Sequence, residues 1–191
     1  QVKTIFSSLD VFQLENVADP QISPDGESVI YRRMGFDIME DRSKGNLWII
    51  SSEGNNHHKL THREVNESQA KWSPSGDRIA FVSSSENGSE IYVYWIKENI
   101  TAKLTQLENN PSSLTWSPDG NQLAFSMKVN AKPPVIAKMP DKPKGAKWAK
   151  SPRITDRLKH EQDGAGYIKP GFNQLFVIPS DGGAPRQLTH G

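Results

Sequence analysis

The chain has 191 residues, a net charge of +1 and no cysteine, with 35% hydrophobic and 24% charged residues. That length fits one sizeable domain. The balanced charge gives no overall attraction to nucleic acid or membrane, and the missing cysteine excludes a disulfide frame and thiol chemistry. No apolar run approaches the roughly 20 residues of a membrane-spanning helix.

Residues 1–15 read as a lead-in, with Ser8 or Asp10 capping a short helix or turn before Val11, Phe12 and Leu14. The chain opens on Gln1 and shows no signal peptide. An earlier segment is therefore expected to have been removed or never included, which leaves a cleaved export signal open.

The first repeating unit is placed at 16–62. Gln21-Ile22 enters the turn Ser23-Pro24-Asp25-Gly26, and Ser28-Val29-Ile30-Tyr31 leaves it. Proline presets φ at the first central turn position, aspartate bonds downstream backbone, and glycine accepts positive φ, so two strands around this turn make a hairpin. A polar excursion, Arg33–Lys44, is expected before the third strand, Asn46–Ile50. His57-His58 follows in an Asn-rich turn; without a third ligand, a solvated turn is favoured over a metal site. Leu60-Thr61 closes the unit.

The second unit, 63–106, repeats the design. Its strands are read near Ser68–Trp72, at Arg78–Ser83, at Glu90–Ile96 and at Ile100–Thr105, around the turn Ser73-Pro74-Ser75-Gly76. The run Ile91–Ile96 is apolar without alternation, which suits a strand covered on both faces. The third unit, 107–191, carries Ser117-Pro118-Asp119-Gly120, a third strand at Gln174–Ile178 and a closing Leu188-Thr189. Ser73 to Ser117 and Leu60 to Leu104 both span 44 residues. A period of about 40–45 residues with four short strands marks a propeller blade. The fold class expected is all-β: a partial β-propeller of about three four-stranded antiparallel blades, with a long insertion in the third. Rings need about 4–8 blades. The chain is therefore expected to be a fragment, or to complete its ring on another molecule, and its open blade edges are expected to self-associate.

The insertion is placed at about 128–169. Between Lys128 and Lys159 stand ten Lys or Arg, two acids and five prolines. Proline removes ladder donors, so a long loop or arm is expected, not a strand. A nucleic-acid arm with Trp148 stacking is one reading; a solvated insertion with Trp148 packed on the blade is favoured, since one aromatic without an RNA-binding motif is thin support. Downstream, Arg157, His160, Glu161, Asp163 and Tyr167 gather around Gly164 and Gly166. Arg157, Glu161, Asp163 and Tyr167 are the candidates for a substrate-facing loop that reads a peptide end by charge. The alternative, a turn at Asp163-Gly164 with its charges in water, is favoured on general grounds.

No Gly-x-Ser-x-Gly elbow, phosphate loop or His-Glu-x-x-His occurs. No catalytic residue, metal ligand or cofactor is assigned. Asp25 and Asp119 read as turn residues, and the Asn-x-Ser/Thr matches at Asn66, Asn87 and Asn99 as chance.

The Ser-Pro-Asp-Gly hairpins with closing Leu-Thr resemble the repeats shared by TolB-type proteins and the prolyl oligopeptidase family. The stretch Val17–Gly26 is similar to the propeller start of acylaminoacyl-peptidase and dipeptidyl-peptidase-like members. Gly145–Arg157, Asp163–Tyr167 and Gln174–Gly183 extend the likeness across the chain. Where relatives show an aromatic-basic pair, this chain has His160-Glu161-Gln162. The resemblance implies a serine peptidase in which the propeller gates short-peptide access to a C-terminal α/β-hydrolase domain holding the Ser-Asp-His triad. No triad position falls in this chain. The implied partners are that domain and a peptide substrate, without nucleic acid or a membrane span, in the cytoplasm or, after signal removal, the periplasm. The alternative is a non-catalytic TolB-like propeller that docks proteins.

Overall fold

The computed structural model describes residues 5–131, 141–149, 158, 161–163 and 166–190. A short 3-10 helix at Ser8–Gln13 leads in. Its N-cap is Ser7, not Ser8 or Asp10. Asp10 instead sits three residues inside, where its carboxylate accepts the Ser7 N–H at 2.6 Å and neutralises an otherwise orphaned donor.

Three four-stranded antiparallel sheets follow, the partial propeller that the repeat implies. The first is β1 (Asn16–Ile22), β2 (Ser28–Asp37), β3 (Arg42–Ser51) and β4 (His58–Lys59). The second is β5 (Glu67–Trp72), β6 (Arg78–Ser85), β7 (Gly88–Trp95) and β8 (Ile100–Lys103). The third joins β9 (Pro111–Trp116), β10 (Gln122–Asn130), β13 (Gly171–Pro179) and β14 (Arg186–Gln187). A separate two-stranded pair, β11 (Glu161–Gln162) and β12 (Gly166–Tyr167), lies between β10 and β13 in sequence.

Each Ser-Pro turn is held the same way. The Ser23 hydroxyl accepts the Ser28 N–H at 2.9 Å and donates to Asp25, whose carboxylate also takes the Glu27 N–H. Ser117 and Asp119 repeat this around Gln122 and Asn121. In the second turn Ser75 replaces the aspartate, and Asp77, two residues on, supplies the carboxylate to both Ser73 and Ser75. The glycines have φ of +78°, +75° and +71°, the region that side chains resist.

The Leu-Thr pairs close each blade against its third strand. Leu60, Leu104 and Leu188 donate backbone N–H bonds to Leu47, Ile91 and Leu175 at 2.7–2.8 Å. One residue on, Thr105 accepts the Ile91 N–H and donates to Glu90, and Thr189 does likewise with Leu175 and Gln174. The first blade has Asn46 in place of that Glu or Gln. There Glu67, fully buried at the start of β5, takes the hydroxyl of Thr61 and the N–H of Leu47. A carboxylate of the second blade thus completes the latch of the first.

The blades pack through Ile30, Leu47, Leu60, Ala70, Ile79 and Phe81, and Phe125 stacks on Phe176 at 5.5 Å in the third. The expected polar excursion at Arg33–Lys44 is corrected: β2 and β3 pair continuously from Ser28↔Ser51 to Asp37↔Arg42. Its charges are cross-strand and neighbouring partners, with Lys44 against Asp37 and Arg42 against Glu40. Charge pairs of this kind support a ladder and do not interrupt it.

By chain contacts, residues 1–127 with 174–191 make one compact unit and 128–173 a second. In the second, Ala131 donates to the Pro170 carbonyl at 3.0 Å, and most of the expected loop at about 128–169 lies outside the described residues. Gly171 has φ +151° beside the Val129 carbonyl, where a Cβ would collide. Trp148 is 45% exposed. Among the described residues no helix is long and apolar enough to cross a membrane.

Candidate functional site

The first strand of each blade, β1, β5 or β9, is an edge of its sheet. Each carries a bulge at the same repeat position, four residues before the turn serine. Pairing shifts between Ala18 and Gln21, between Ser68 and Lys71, and opposite Ala124 and Ser126. The residue inside each bulge has positive φ: Asp19 at 51°, Gln69 at 55° and Ser113 at 55°. None is glycine, so each conformation costs about 1 kcal/mol or more and must be imposed by the surrounding ladder. A bulge turns its side chain out of the alternation and re-aims it.

These three side chains are brought onto one cavity of about 350 Å³, together with Gln21, Lys71 and Ser112. The lining offers a carboxylate, an ammonium, two amides and two hydroxyls. Such a wall can satisfy the donors and acceptors of a passing peptide, and it contains no nucleophile paired to a base. Asp19 also acts behind the wall. Burial lowers the pKa of Arg32, and the negative charge of Asp19 opposes that shift. The Arg32 guanidinium is tied down by Asn66 at 2.8 Å, which explains why Asn66 is half-buried and not a free surface amide.

A second cavity, of about 740 Å³, opens between the β2–β3 and β6–β7 hairpin ends. Arg63 lies beside it, 4.1 Å above the Tyr92 ring, and donates to Ser83 at 3.0 Å and to the Tyr92 hydroxyl at 3.2 Å. Glu90, buried on this side, is held by Thr105 and the Leu107 N–H. His57 is exposed and takes part in an aromatic contact, with Nε2 2.5 Å from the Tyr31 hydroxyl and its ring 4.9 Å from Trp48. Among the described residues no three His, Cys, Asp or Glu side chains stand together as metal ligands.

Of the residues singled out in the sequence, Glu161 and Tyr167 face each other across the β11–β12 pair, with Asp163 in its turn. Glu161 and Asp163 are exposed and Tyr167 is half-buried. Arg157 and His160 lie outside the described residues. Asp19, Gln69 and Ser113 escape a reading by residue type because no two are alike. Their common offset from the turn serine is the signal that finds them.

No family model matches the sequence. The chain is similar to the uncharacterized peptidase YuxL of Bacillus subtilis, 25% identical over 189 residues, which is 98% of this chain and 28% of the relative. It is 32% identical over 76 residues to dipeptidyl-peptidase 5 of Porphyromonas gingivalis, covering 40% of this chain and 11% of that one. The chain thus spans less than a third of the length of these curated relatives. Among solved structures, acylaminoacyl peptidase from Pyrococcus horikoshii superposes with a TM-score of 0.69 at 16% identity, over 93% of this chain and 25% of that one. A putative TolB from Agrobacterium tumefaciens gives 0.54 at 18% identity, over 87% of this chain and 46% of that one. At these identities the structures establish the shared fold.

Proposed function

We propose, from the premise that this chain is a β-propeller portion of the prolyl oligopeptidase family of peptidases, that it serves as a steric gate. It admits short peptides to a C-terminal α/β-hydrolase domain of the same polypeptide, and it carries no catalytic residue itself. The observation that carries this reading is the polar wall on the edge strands β1, β5 and β9, where three bulges re-aim Asp19, Gln69 and Ser113 onto one cavity. The blades are assigned to 16–62, 63–106 and 107–191, with the insertion at about 128–169. The loop bearing Arg157, Glu161, Asp163 and Tyr167 contributes substrate contacts. The compartment assigned is the cytoplasm, with the periplasm as the alternative.

The test treats the full polypeptide that contains this sequence with a fluorophosphonate serine probe, with the 191-residue chain alongside. Labelling of the full polypeptide alone, with hydrolysis that falls steeply as peptide length grows, supports the gate. A folded polypeptide that does not label would favour a protein-binding propeller instead. Labelling with no dependence on peptide length would remove gating and leave the peptidase.

A further inference from the structure

We infer that the cavity of about 740 Å³ between the first two blades is a binding site for a zwitterion, a free amino acid or short peptide that carries both an ammonium and a carboxylate. Its volume lies within the range of small-molecule sites. Arg63, Glu90, Tyr92 and Lys103 line it, with Glu86 at its rim.

The repeat itself does not call for this polar wall. Arg63 follows Leu60-Thr61 at the position where Leu107 follows Leu104-Thr105. Leu104 and Leu188 bond Ile91 and Leu175 on their third strands, so Tyr92 of the second blade matches Phe176 of the third. Ser83 and Met127 share one offset from their turn serines, Ser73 and Ser117. Where one junction has the apolar trio Leu107, Met127 and Phe176, the other has Arg63, Ser83 and Tyr92. These three are joined. Arg63 donates to the Ser83 hydroxyl at 3.0 Å and the Tyr92 hydroxyl at 3.2 Å, with its guanidinium 4.1 Å over the ring. Asn46 of the first blade donates to the Val65 carbonyl at 2.8 Å and so steadies the loop that carries Arg63. A guanidinium fixed in advance loses little freedom on binding.

The class of ligand follows from the charges. Glu40 pairs with Arg42, Glu64 with Lys59 and Lys44 with Asp37. The other charged groups of the lining, Arg63, Lys103, Glu86 and Glu90, make no ion pair among the described residues. Arg63 acts on the buried Glu67 only through space and keeps N–H donors beyond those given to Ser83 and Tyr92. Glu90 is buried and takes neutral donors, the Thr105 hydroxyl and the Leu107 N–H. Uncompensated charge of both signs thus stands around one cavity. A simple anion would meet Glu86 and Glu90, and a simple cation would meet Arg63 and Lys103. A molecule with both charges answers both, its carboxylate on the guanidinium fork and its ammonium on the glutamates.

The test illuminates the full polypeptide with glycyl-photoleucine, a dipeptide bearing a photoactivatable diazirine, and maps the crosslinks by mass spectrometry. Fluorophosphonate added beforehand silences any nucleophilic serine, so the site is read whether or not the polypeptide hydrolyses peptides. Crosslinks on Ser84–Asn87 or Gln106-Leu107 are expected, and crosslinks only elsewhere, or none, would overturn the site. Acetylating the amine or amidating the carboxylate should each weaken labelling there about tenfold. Undiminished labelling by either capped probe would overturn the zwitterion, in favour of a plain anion or cation site. Arg63→Gln should lower labelling by about the same factor. Because Arg63 also ties Ser83 and Tyr92, Lys103→Gln provides a second variant at an exposed position. A fall of about threefold in the latter supports the site, and unchanged labelling in both variants would overturn it.

Discussion

Arg78, the first residue of β6, holds its guanidinium 5.0 Å from the centre of the Trp116 ring in the next blade. The same group donates to the Gly120 carbonyl at 3.0 Å and to the Ser180 hydroxyl at 3.1 Å. One side chain of the second blade thus grips β9, the turn after it and the end of β13 in the third blade. Its side chain is only 14% exposed, so these bonds are shielded from water. Arg78→Ala is expected to destabilise the chain by about 1–3 kcal/mol, read as a lower urea midpoint. Arg78→Lys should recover only a part, because an ammonium cannot stack flat while bonding two acceptors. Full recovery by lysine would show that charge alone holds the junction.

The indole N–H groups make a second, repeated inter-blade bond. Trp72 donates to the Gln21 carbonyl at 3.1 Å, and Trp116 to the Lys71 carbonyl at 2.9 Å. Phenylalanine keeps most of the apolar contact and removes the donor, so the side-chain bond between the two blades is lost. Trp72→Phe and Trp116→Phe should each cost about 1–2 kcal/mol. The two effects should add in the double variant, as expected of separate junctions. Strong non-additivity in denaturant titrations would instead mean that the blades share one cooperative contact.

Much of this architecture is legible in the sequence because the residues that set it act locally and recur. Ser23, Ser73 and Ser117 each bond within their own turn, and the Thr of each Leu-Thr pair acts within the closing latch. What is not legible depends on partners distant in sequence. Arg33, Asp37 and Lys44 read as a polar loop until the cross-strand pairing is known. Glu67 gives no sign in the sequence that it serves the neighbouring blade's Thr61. Asp19, Gln69 and Ser113 share a backbone conformation and no chemistry, so residue type hides them. The insertion's proline and lysine content marks an interruption correctly, yet conceals that β10 runs to Asn130 and β13 begins at Gly171.

The bulge at Gln69 can be separated from its side chain. A β-branched residue resists φ near +55° more strongly than glutamine, so Gln69→Val should cost about 1–2 kcal/mol. Gln69→Gly removes the steric cost and should be neutral or stabilising in the same melting assay. Substrate selection in the full polypeptide should change in both variants, since both lose the amide from the cavity wall. If glycine destabilised as much as valine, the amide itself would be holding the bulge.

Stability should pass through a maximum on the acid side of neutrality, because two kinds of carboxyl act in opposite directions. Hydrogen bonds from Ser23, Ser75 and Ser117 hold Asp25, Asp77 and Asp119 below their ordinary 3.8. A carboxylate depressed in the fold contributes stability above its unfolded pKa and loses it as pH falls through the lower folded value. Glu67 behaves in reverse. Burial, outweighing its bonds to Thr61 and Leu47, raises it above 4.5. The folded chain therefore binds that proton first, and stability rises as pH drops from neutral through the raised folded value toward 4.5. Protonated, Glu67 can donate to the Thr61 hydroxyl while still accepting from the Leu47 N–H. Glutamine can do the same, so Glu67→Gln should fold normally and abolish the acid-side gain, leaving the fall at lower pH set by the turn aspartates and by Glu64, which Lys59 holds below its ordinary 4.5. Urea midpoints measured from pH 7 to pH 3 on both proteins provide the check. A variant that kept the acid-side rise would assign it to another group.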